Sequence, residues 1–321
     1  MPQAFRGLLL GIIVVSSVIA APVRYVTARD ATPAASSASS PGAARSGPFS
    51  GLVDIGDRSL YLQCEGEGSP TVILEAGRFA SDTWDAVLAG VAPLTRVCLY
   101  DRANQGLSDP APLPRSGQDV VKDLHALLMA ADVPGPFVLV GATMGGLFTR
   151  LYAATYPDDV VGMVLSNAIY EELYTLQALA MTPADNAETV RIDMEGGDVE
   201  GIWTTESLPI TFEEVRRARL DSPLRAMPLV VLAAGSFPHD PHSPYPRGSD
   251  AVWPTLSILT QKAQAQLTDD ARFVLVPDSG SLIQVDQPAV VIEAIADVID
   301  AVRDPGTWGP GDVAPSATPL P

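Results

Sequence analysis

The sequence predicts an α/β domain built on a mostly parallel, doubly wound sheet with helices on both faces. Short runs rich in Val, Leu and Ile recur along the chain, and helical patterns alternate with them. The runs are apolar throughout, which is typical of strands that are covered on both faces. Regular alternation of strand and helix favours a parallel sheet.

The first two strand-like runs predict an antiparallel start to this sheet. "GLVDIG" (51–56) and "SLYLQCEG" (59–66) are separated by a turn at Gly56-Asp57. Six further strand-like runs follow at residues 71–77, 96–101, 137–142, 160–168, 228–235 and 272–280. Helical patterns lie at residues 81–93, 116–132, 144–156, 250–267 and 287–303. The alternation breaks at 169–227, where helix-like segments without a clear strand predict a cap over the carboxyl ends of the strands.

The N-terminal residues 1–26 are predicted to be a targeting segment. Arg6 precedes an uncharged apolar stretch at 7–23, which is long for a signal-peptide core and short for a membrane span. Val18 and Ala20 are small enough for cleavage after Ala20, so a signal peptide and a transmembrane anchor both remain open. Either one predicts an extracytoplasmic protein, secreted or membrane-anchored.

Two further segments are predicted to be flexible. Residues 27–48 and 304–321 are dominated by Ala, Ser, Pro and Gly and show no apolar period. A buried helix of the fold is a poor interpretation of the apolar stretch at 7–23, because the first of these linkers follows it. The globular domain is therefore predicted at residues 49–303.

The charge balance excludes one class of partner. The chain of 321 residues carries 20 Lys and Arg against 38 Asp and Glu, a formal net charge of −18. Phosphate backbones are bound by basic surfaces, so no nucleic-acid partner is expected.

The order of elements, with "GATMG" (141–145) between a strand and a helix, resembles the α/β-hydrolase family, most closely its exported bacterial esterase- and peptidase-like members. "VILEAG" (72–77), "LYDRANQGLSD" (99–109) and "QPAVVIEAIADVIDAV" (287–302) match further stretches of that family. The resemblance covers about residues 51–303. It implies the α/β-hydrolase fold, with eight strands and a helical cap, and cleavage of carboxylic ester or amide bonds without a cofactor or metal.

The same resemblance implies a disulfide between Cys64 and Cys98. The family places its second strand beside its fourth, and these two strands carry the two cysteines. Neighbouring strands can bring two Cα atoms within the reach of a disulfide, and an exported protein can keep one. Two buried free thiols are the alternative.

The catalytic positions depart from the family pattern. Gly141 and Gly145 of the nucleophile elbow are present, but Thr143 stands where the family has its serine nucleophile. The elbow usually holds its central residue at positive φ, where a β-branched side chain is strained. Ser281 stands just past the last strand, where the family has its catalytic histidine, and serine is no general base at neutral pH.

The remaining candidates for an acid or a base lie in one loop. His239, Asp240 and His242 follow the seventh strand-like run, where the family often carries its acid, so Asp240 is the candidate acid. A histidine displaced into this loop could reach Thr143; solvent-facing histidines in a Pro-rich loop are the alternative. His-x-x-His without a clear third ligand is a weak metal signal, so no metal is expected.

Two other positions are expected to have no catalytic role. His125 lies in a helical pattern along the side of the sheet and is expected to pack there. Asn167 follows the strand-like run at 160–168 where some family members carry the acid, and an amide cannot stabilise an imidazolium by charge.

The oxyanion hole is made by backbone groups and can survive side-chain changes. By resemblance, its donors are the N–H of Met144 and one N–H at Arg78 or Phe79. Arg78 also brings a positive charge to the edge of the pocket if its side chain turns inward. Such donors still bind a carbonyl or carboxylate oxygen.

These observations predict an exported α/β-hydrolase-fold pseudoenzyme that retains a pocket for a small apolar or acyl ligand. The alternative is an atypical esterase or amidase with Thr143 as its nucleophile. A third interpretation is a surface interaction module whose cap binds a protein partner. Membrane contact is expected through residues 7–23 if they are not cleaved.

Overall fold

The computed structural model describes residues 47–195, 205–237 and 245–309. These residues belong to one compact unit, Ala43–Pro321. The predicted targeting segment and nearly all of the predicted linker lie outside the described residues, as do residues 238–244. None of the described helices combines the length and apolar composition needed to cross a bilayer.

Eight strands form one sheet with the spatial order β1-β2-β4-β3-β5-β6-β7-β8. The first strand pairs antiparallel with the second, the second pairs antiparallel with the fourth, and the other pairs are parallel. The strands are β1 (Phe49–Asp54), β2 (Ser59–Glu65), β3 (Thr71–Glu75), β4 (Val97–Tyr100), β5 (Phe137–Ala142), β6 (Val160–Ser166), β7 (Leu229–Ala234) and β8 (Arg272–Val276). The predicted fold class is confirmed.

Most helices occupy the predicted segments with small differences at their ends, but the single turn α8 (Ile283–Asp286) was not predicted. The helices are α1 (Asp85–Val91), α2 (Gly117–Ala130), α3 (Gly145–Thr155), α4 (Leu173–Ala180), α5 (Pro183–Glu195), α6 (Leu208–Asp221), α7 (Arg247–Gln264), α8 (Ile283–Asp286) and α9 (Pro288–Arg303). The segment predicted as one helix at 81–93 is a 3-10 turn, Ser81–Trp84, followed by the short α1.

Local signals explain where several elements begin and end. Ser116 and Asp119 form a reciprocal capping box at the start of α2, and Pro288 opens α9, where its missing N–H costs nothing. The strand predicted at 272–280 ends earlier, at Val276, because Pro277 cannot donate a ladder hydrogen bond.

Both faces of the central strands β3, β4, β5 and β7 are buried, as the apolar runs predict, whereas the edge strands β1 and β8 carry exposed residues. Successive residues of β3 point to opposite faces: Ile73 belongs to the core under α2 and α3, and Val72 and Leu74 belong to the core under α1 and α9. Trp84 is fully buried in the second core. Helices α4, α5 and α6 lie between β6 and β7 in the sequence, in the segment predicted as the cap.

The two cysteines form the disulfide that the resemblance implies. Cys64 on β2 stands directly opposite Cys98 on β4, and their sulfur atoms are bonded. Both residues are buried. The bond fixes the antiparallel edge of the sheet to its parallel part.

The packed chain continues past Arg303 into the first residues of the predicted tail. A 3-10 turn forms at Pro305–Thr307, and the Trp308 indole N–H donates to the carbonyl of Asp270 at 3.0 Å. The Arg272 guanidinium lies over the Trp308 ring, 3.9 Å from its centroid. The rest of the tail, from residue 310, lies outside the described residues.

Candidate active site

The tight turn between β5 and α3 has the geometry of a nucleophile elbow. Thr143 follows β5 with φ of 49° and precedes the first turn of α3. A Cβ on Gly141 would lie 2.6 Å from the carbonyl oxygen of Gly145, and one on Gly145 would lie 2.5 Å from the carbonyl oxygen of Glu75. Both glycines are therefore required by close backbone contacts, and the β-branched Thr143 occupies the strained position.

The hydroxyl of Thr143 does not point into open space. Its Oγ1 is inaccessible to solvent and has no hydrogen-bond partner among the described residues. A Cβ on Gly77 would lie 2.6 Å from this oxygen, so the hydroxyl lies against the loop that follows β3. A nucleophile needs an exposed oxygen within reach of a base, and this oxygen has neither in the described part of the chain.

The predicted oxyanion donors lie on both sides of this turn. Gly77 adopts φ of 69° after β3 and leads the chain into Arg78 and Phe79, both of which line the same cavity as Thr143. The backbone N–H groups of Phe79 and Met144 donate no hydrogen bond within the described residues. The position of these donors is consistent with the predicted oxyanion hole.

Arg78 turns inward and is neutralised by a residue of the cap. Its Nη1 lies 3.1 Å from Oδ1 of Asp193 on α5, and its Nη2 donates to the Asp193 carbonyl at 3.2 Å. The Tyr245 hydroxyl donates to the same carboxylate at 2.8 Å. Burial and the charge of Asp193 raise the pKa of Tyr245, so its hydroxyl keeps its proton. Sequence reasoning missed Asp193.

Ser281 also lies on the cavity wall. It follows β8 and, like Thr143, lines the cavity. The preceding turn is held by Asp286, whose Oδ2 accepts from the Gly280 N–H at 2.8 Å and from the Ser279 hydroxyl at 3.2 Å. The structure therefore brings together the two positions at which the sequence departs from the family pattern.

Asn167 also lines the cavity, at the end of β6. It adopts φ of 44°, and its side-chain oxygen accepts from the Ser257 hydroxyl at 3.2 Å and from the Ala234 N–H at 3.4 Å. These contacts hold the end of β6 to the end of β7 and to α7.

The cavity has a volume of about 400 Å³ and opens at the carboxyl ends of the strands. This size lies in the usual range for small-molecule sites. Its wall contains apolar and aromatic side chains and a few neutral polar groups. The remaining wall residues that the structure describes are Ala168, Ile169, Tyr170, Leu173, Leu208, Ser236, Phe237, Tyr245, Trp253, Thr260, Gln261 and Gly280.

No imidazole lines the described part of this cavity. His125 lies on α2, where its ring stacks on Tyr156 with centroids 3.8 Å apart and its Nδ1 lies 3.1 Å from the Tyr152 hydroxyl. This is the packing role predicted for it. His239, Asp240 and His242 lie outside the described residues.

A buried ionic network supports the loop after β3. Arg102 binds Glu75 with Nη1 at 2.5 Å, Glu206 with Nε at 3.2 Å, and the Gly77 carbonyl with Nη2. Tyr100 donates to Glu75. Burial alone would lower the pKa of Arg102, but Glu206 and Glu75 outweigh it and raise the pKa. The sequence signal for this network is Glu75 inside an apolar strand, because a buried charge needs a partner.

The described residues contain no group of His, Cys, Asp and Glu side chains that could hold a metal ion. The charged side chains near the elbow are engaged with one another instead.

Comparison with known proteins identifies the family. A model described as the alpha/beta hydrolase family matches residues 66–294. The chain belongs to the α/β hydrolase family. The eight-stranded sheet, the elbow after β5 and the cavity at the strand ends agree with this membership.

Relatives in the α/β hydrolase family include proteins of very different size. The Bacillus subtilis protein YqjL is 28% identical over 239 residues, which cover 73% of this chain and 85% of YqjL. An uncharacterized vacuolar membrane protein of Saccharomyces cerevisiae is 40% identical over 114 residues, which cover 34% of this chain and only 18% of the yeast protein.

Solved structures show the same fold. A thermophilic esterase from Thermogutta terrifontis superposes with a TM-score of 0.53 at 18% sequence identity. The superposition covers 79% of this chain and 98% of the esterase.

Proposed function

We propose that this α/β hydrolase family member binds a small apolar or acyl ligand in its cavity without efficient turnover. The observation that carries the proposal is the state of Thr143. Its hydroxyl oxygen is inaccessible to solvent and lies against Gly77, and the described wall of the cavity supplies no imidazole to activate it. Ser281 occupies the wall position at which a base is needed.

The scaffold around the two changed residues supports binding. The backbone N–H groups of Met144 and Phe79 donate no hydrogen bond to any described residue and can donate to a carbonyl oxygen of a ligand, and the aromatic wall offers apolar area. A ligand held in this way would lack a competent nucleophile and a base.

Ester hydrolysis tests this proposal. The full chain, purified in a mild nonionic detergent because of the apolar stretch at 7–23, is assayed with p-nitrophenyl butyrate beside Thr143→Ala. We expect equal rates for both. The double variant Thr143→Ser/Ser281→His restores a nucleophile and a base, and we expect its rate to exceed that of Thr143→Ala by about 100-fold or more. A wild-type rate far above that of Thr143→Ala would contradict the proposal.

A second candidate function is an atypical esterase or amidase with Thr143 as nucleophile. It is favoured by one observation: Phe237 and Tyr245, on either side of the segment that contains His239 and His242, both line the cavity. If this candidate is correct, the wild-type chain hydrolyses the ester, and both Thr143→Ala and the pair His239→Asn/His242→Asn abolish the reaction.

An extracytoplasmic location is part of the same proposal. The Cys64–Cys98 disulfide supports it, because disulfides persist in oxidising compartments and are rare in the cytosol. A membrane-impermeant protease added to intact cells should digest a C-terminally tagged chain. Full protection of the tag would contradict the location.

A further inference from the structure

We propose that Asp193 sets the charge of the cavity and makes it a site for an uncharged ligand. Such a ligand is an ester, amide or alcohol with an apolar body rather than a free carboxylate. The inference rests on the proposed binding function and names the class of molecule that the cavity takes.

The charge balance of the wall depends on two residues. Among the described residues that line the cavity, Arg78 and Asp193 are the two with charged side chains. They form an ion pair at 3.1 Å, with their side chains 10% and 7% exposed. One comes from the loop after β3 and the other from α5 of the cap, so the wall is neutral only when both elements are in place.

The guanidinium charge of Arg78 is already paired with the Asp193 carboxylate. Nη1 binds the Asp193 carboxylate, Nη2 binds the Asp193 carbonyl, and Nε is inaccessible to solvent. A carboxylate moved from water into this cavity would lose its hydration without gaining a charged partner, and it would face the negative charge of Asp193. A neutral carbonyl requires only an N–H or O–H donor, and the turns at Phe79 and Met144 provide such donors.

Removal of the charge of Asp193 should reverse this preference. An unpaired guanidinium binds carboxylates well, because its planar fork matches their geometry. An asparagine side chain has nearly the same volume as an aspartate, and the bond from Nη2 of Arg78 to the main-chain carbonyl does not depend on the carboxylate. The substitution Asp193→Asn therefore changes the charge with little change in shape.

The test compares two probes with the same apolar body, 4-phenylbutyramide and 4-phenylbutyrate. Calorimetric titration of the full chain in nonionic detergent at pH 7.5 gives both affinities. We expect the wild-type chain to bind the amide about tenfold more tightly than the carboxylate or better. In Asp193→Asn the ratio should move toward the carboxylate by about tenfold, and in Arg78→Gln/Asp193→Asn it should return to the amide.

A matched control separates local from overall charge. Asp297→Asn removes the partner of Arg272 on α9, outside the cavity, with the same change in net charge. It should leave the ratio unchanged.

Three results would overturn the inference: wild-type preference for the carboxylate, an unchanged ratio in Asp193→Asn, or no binding of either probe. The double variant Arg78→Gln/Asp193→Asn leaves no buried charge unpaired. Its recovery of the amide preference would therefore show that the change in Asp193→Asn comes from charge and not from misfolding. No binding of either probe would also contradict the proposed ligand binding, whereas ester turnover would contradict only the proposed lack of turnover and leaves the preference for the neutral probe in place.

Discussion

Thr143 combines a residue type and a backbone conformation that rarely occur together. A non-glycine residue at φ near 50° is uncommon, and a β-branched one is strained by about 1–3 kcal/mol. A serine there would retain the hydroxyl with less crowding. In the proposed function, the strain at Thr143 therefore does not contribute to catalysis.

The strain predicts an unusual effect of glycine. Thr143→Gly should leave the free energy of unfolding unchanged or increase it, because glycine adopts positive φ without cost. Thr149→Gly, a buried site inside the regular helix α3, should lose about 1 kcal/mol or more. Urea unfolding monitored by circular dichroism measures both. A larger loss at Thr143 than at Thr149 would contradict the account of the elbow.

The catalytic departures at residue scale were readable from the sequence. The family resemblance assigns Thr143 and Ser281 to the nucleophile and histidine positions, and in the structure both residues line one cavity. The role of Asp193 was not predictable from the sequence. It pairs with Arg78 across a separation of 115 residues, and its helix α5 has no apolar period that would predict which of its faces is buried.

At the scale of elements, a buried ionic network binds the loop after β3. Arg102 joins Glu75 of β3 to Glu206, which precedes α6, and also binds the Gly77 carbonyl. The loop that carries the predicted oxyanion donors is therefore coupled to the cap.

Removal of Arg102 should be costly. Arg102→Met leaves two buried carboxylates without their cation, and we expect a loss of about 3–5 kcal/mol in the free energy of unfolding. Arg225→Met removes a solvent-exposed partner of Asp158 and should cost less than about 1 kcal/mol. Denaturant titration compares them. Equal losses in the two variants would show that the network does not stabilise the loop.

The order of elements was predictable because apolar runs of strand length alternate with helical patterns, and because the resemblance fixes the strand order. The partners within the ionic network were not predictable from the sequence. Arg102 and Glu206 are separated by 104 residues, and nothing local to either residue identifies the other. The observed ends of elements differ from the predicted ends where a single residue decides them, as Pro277 does after β8.

At the scale of the whole molecule, the chain is an α/β hydrolase with its sheet, elbow and cavity in place. The disulfide secures the antiparallel edge, and the cap supplies both Glu206 below the loop and Asp193 in the cavity wall. In the proposed function this scaffold binds a ligand, and Thr143 and Ser281 carry out no proton transfer.

The most direct measurement of the central claim is covalent labelling by a fluorophosphonate, followed by intact-mass analysis of the full chain. This reagent modifies an activated hydroxyl, so we expect no adduct on the wild-type chain. Thr143→Ser/Ser281→His should take up one equivalent, because it restores both the exposed hydroxyl and its base. A stoichiometric adduct on Thr143 of the wild-type chain would contradict the claim and show a working nucleophile.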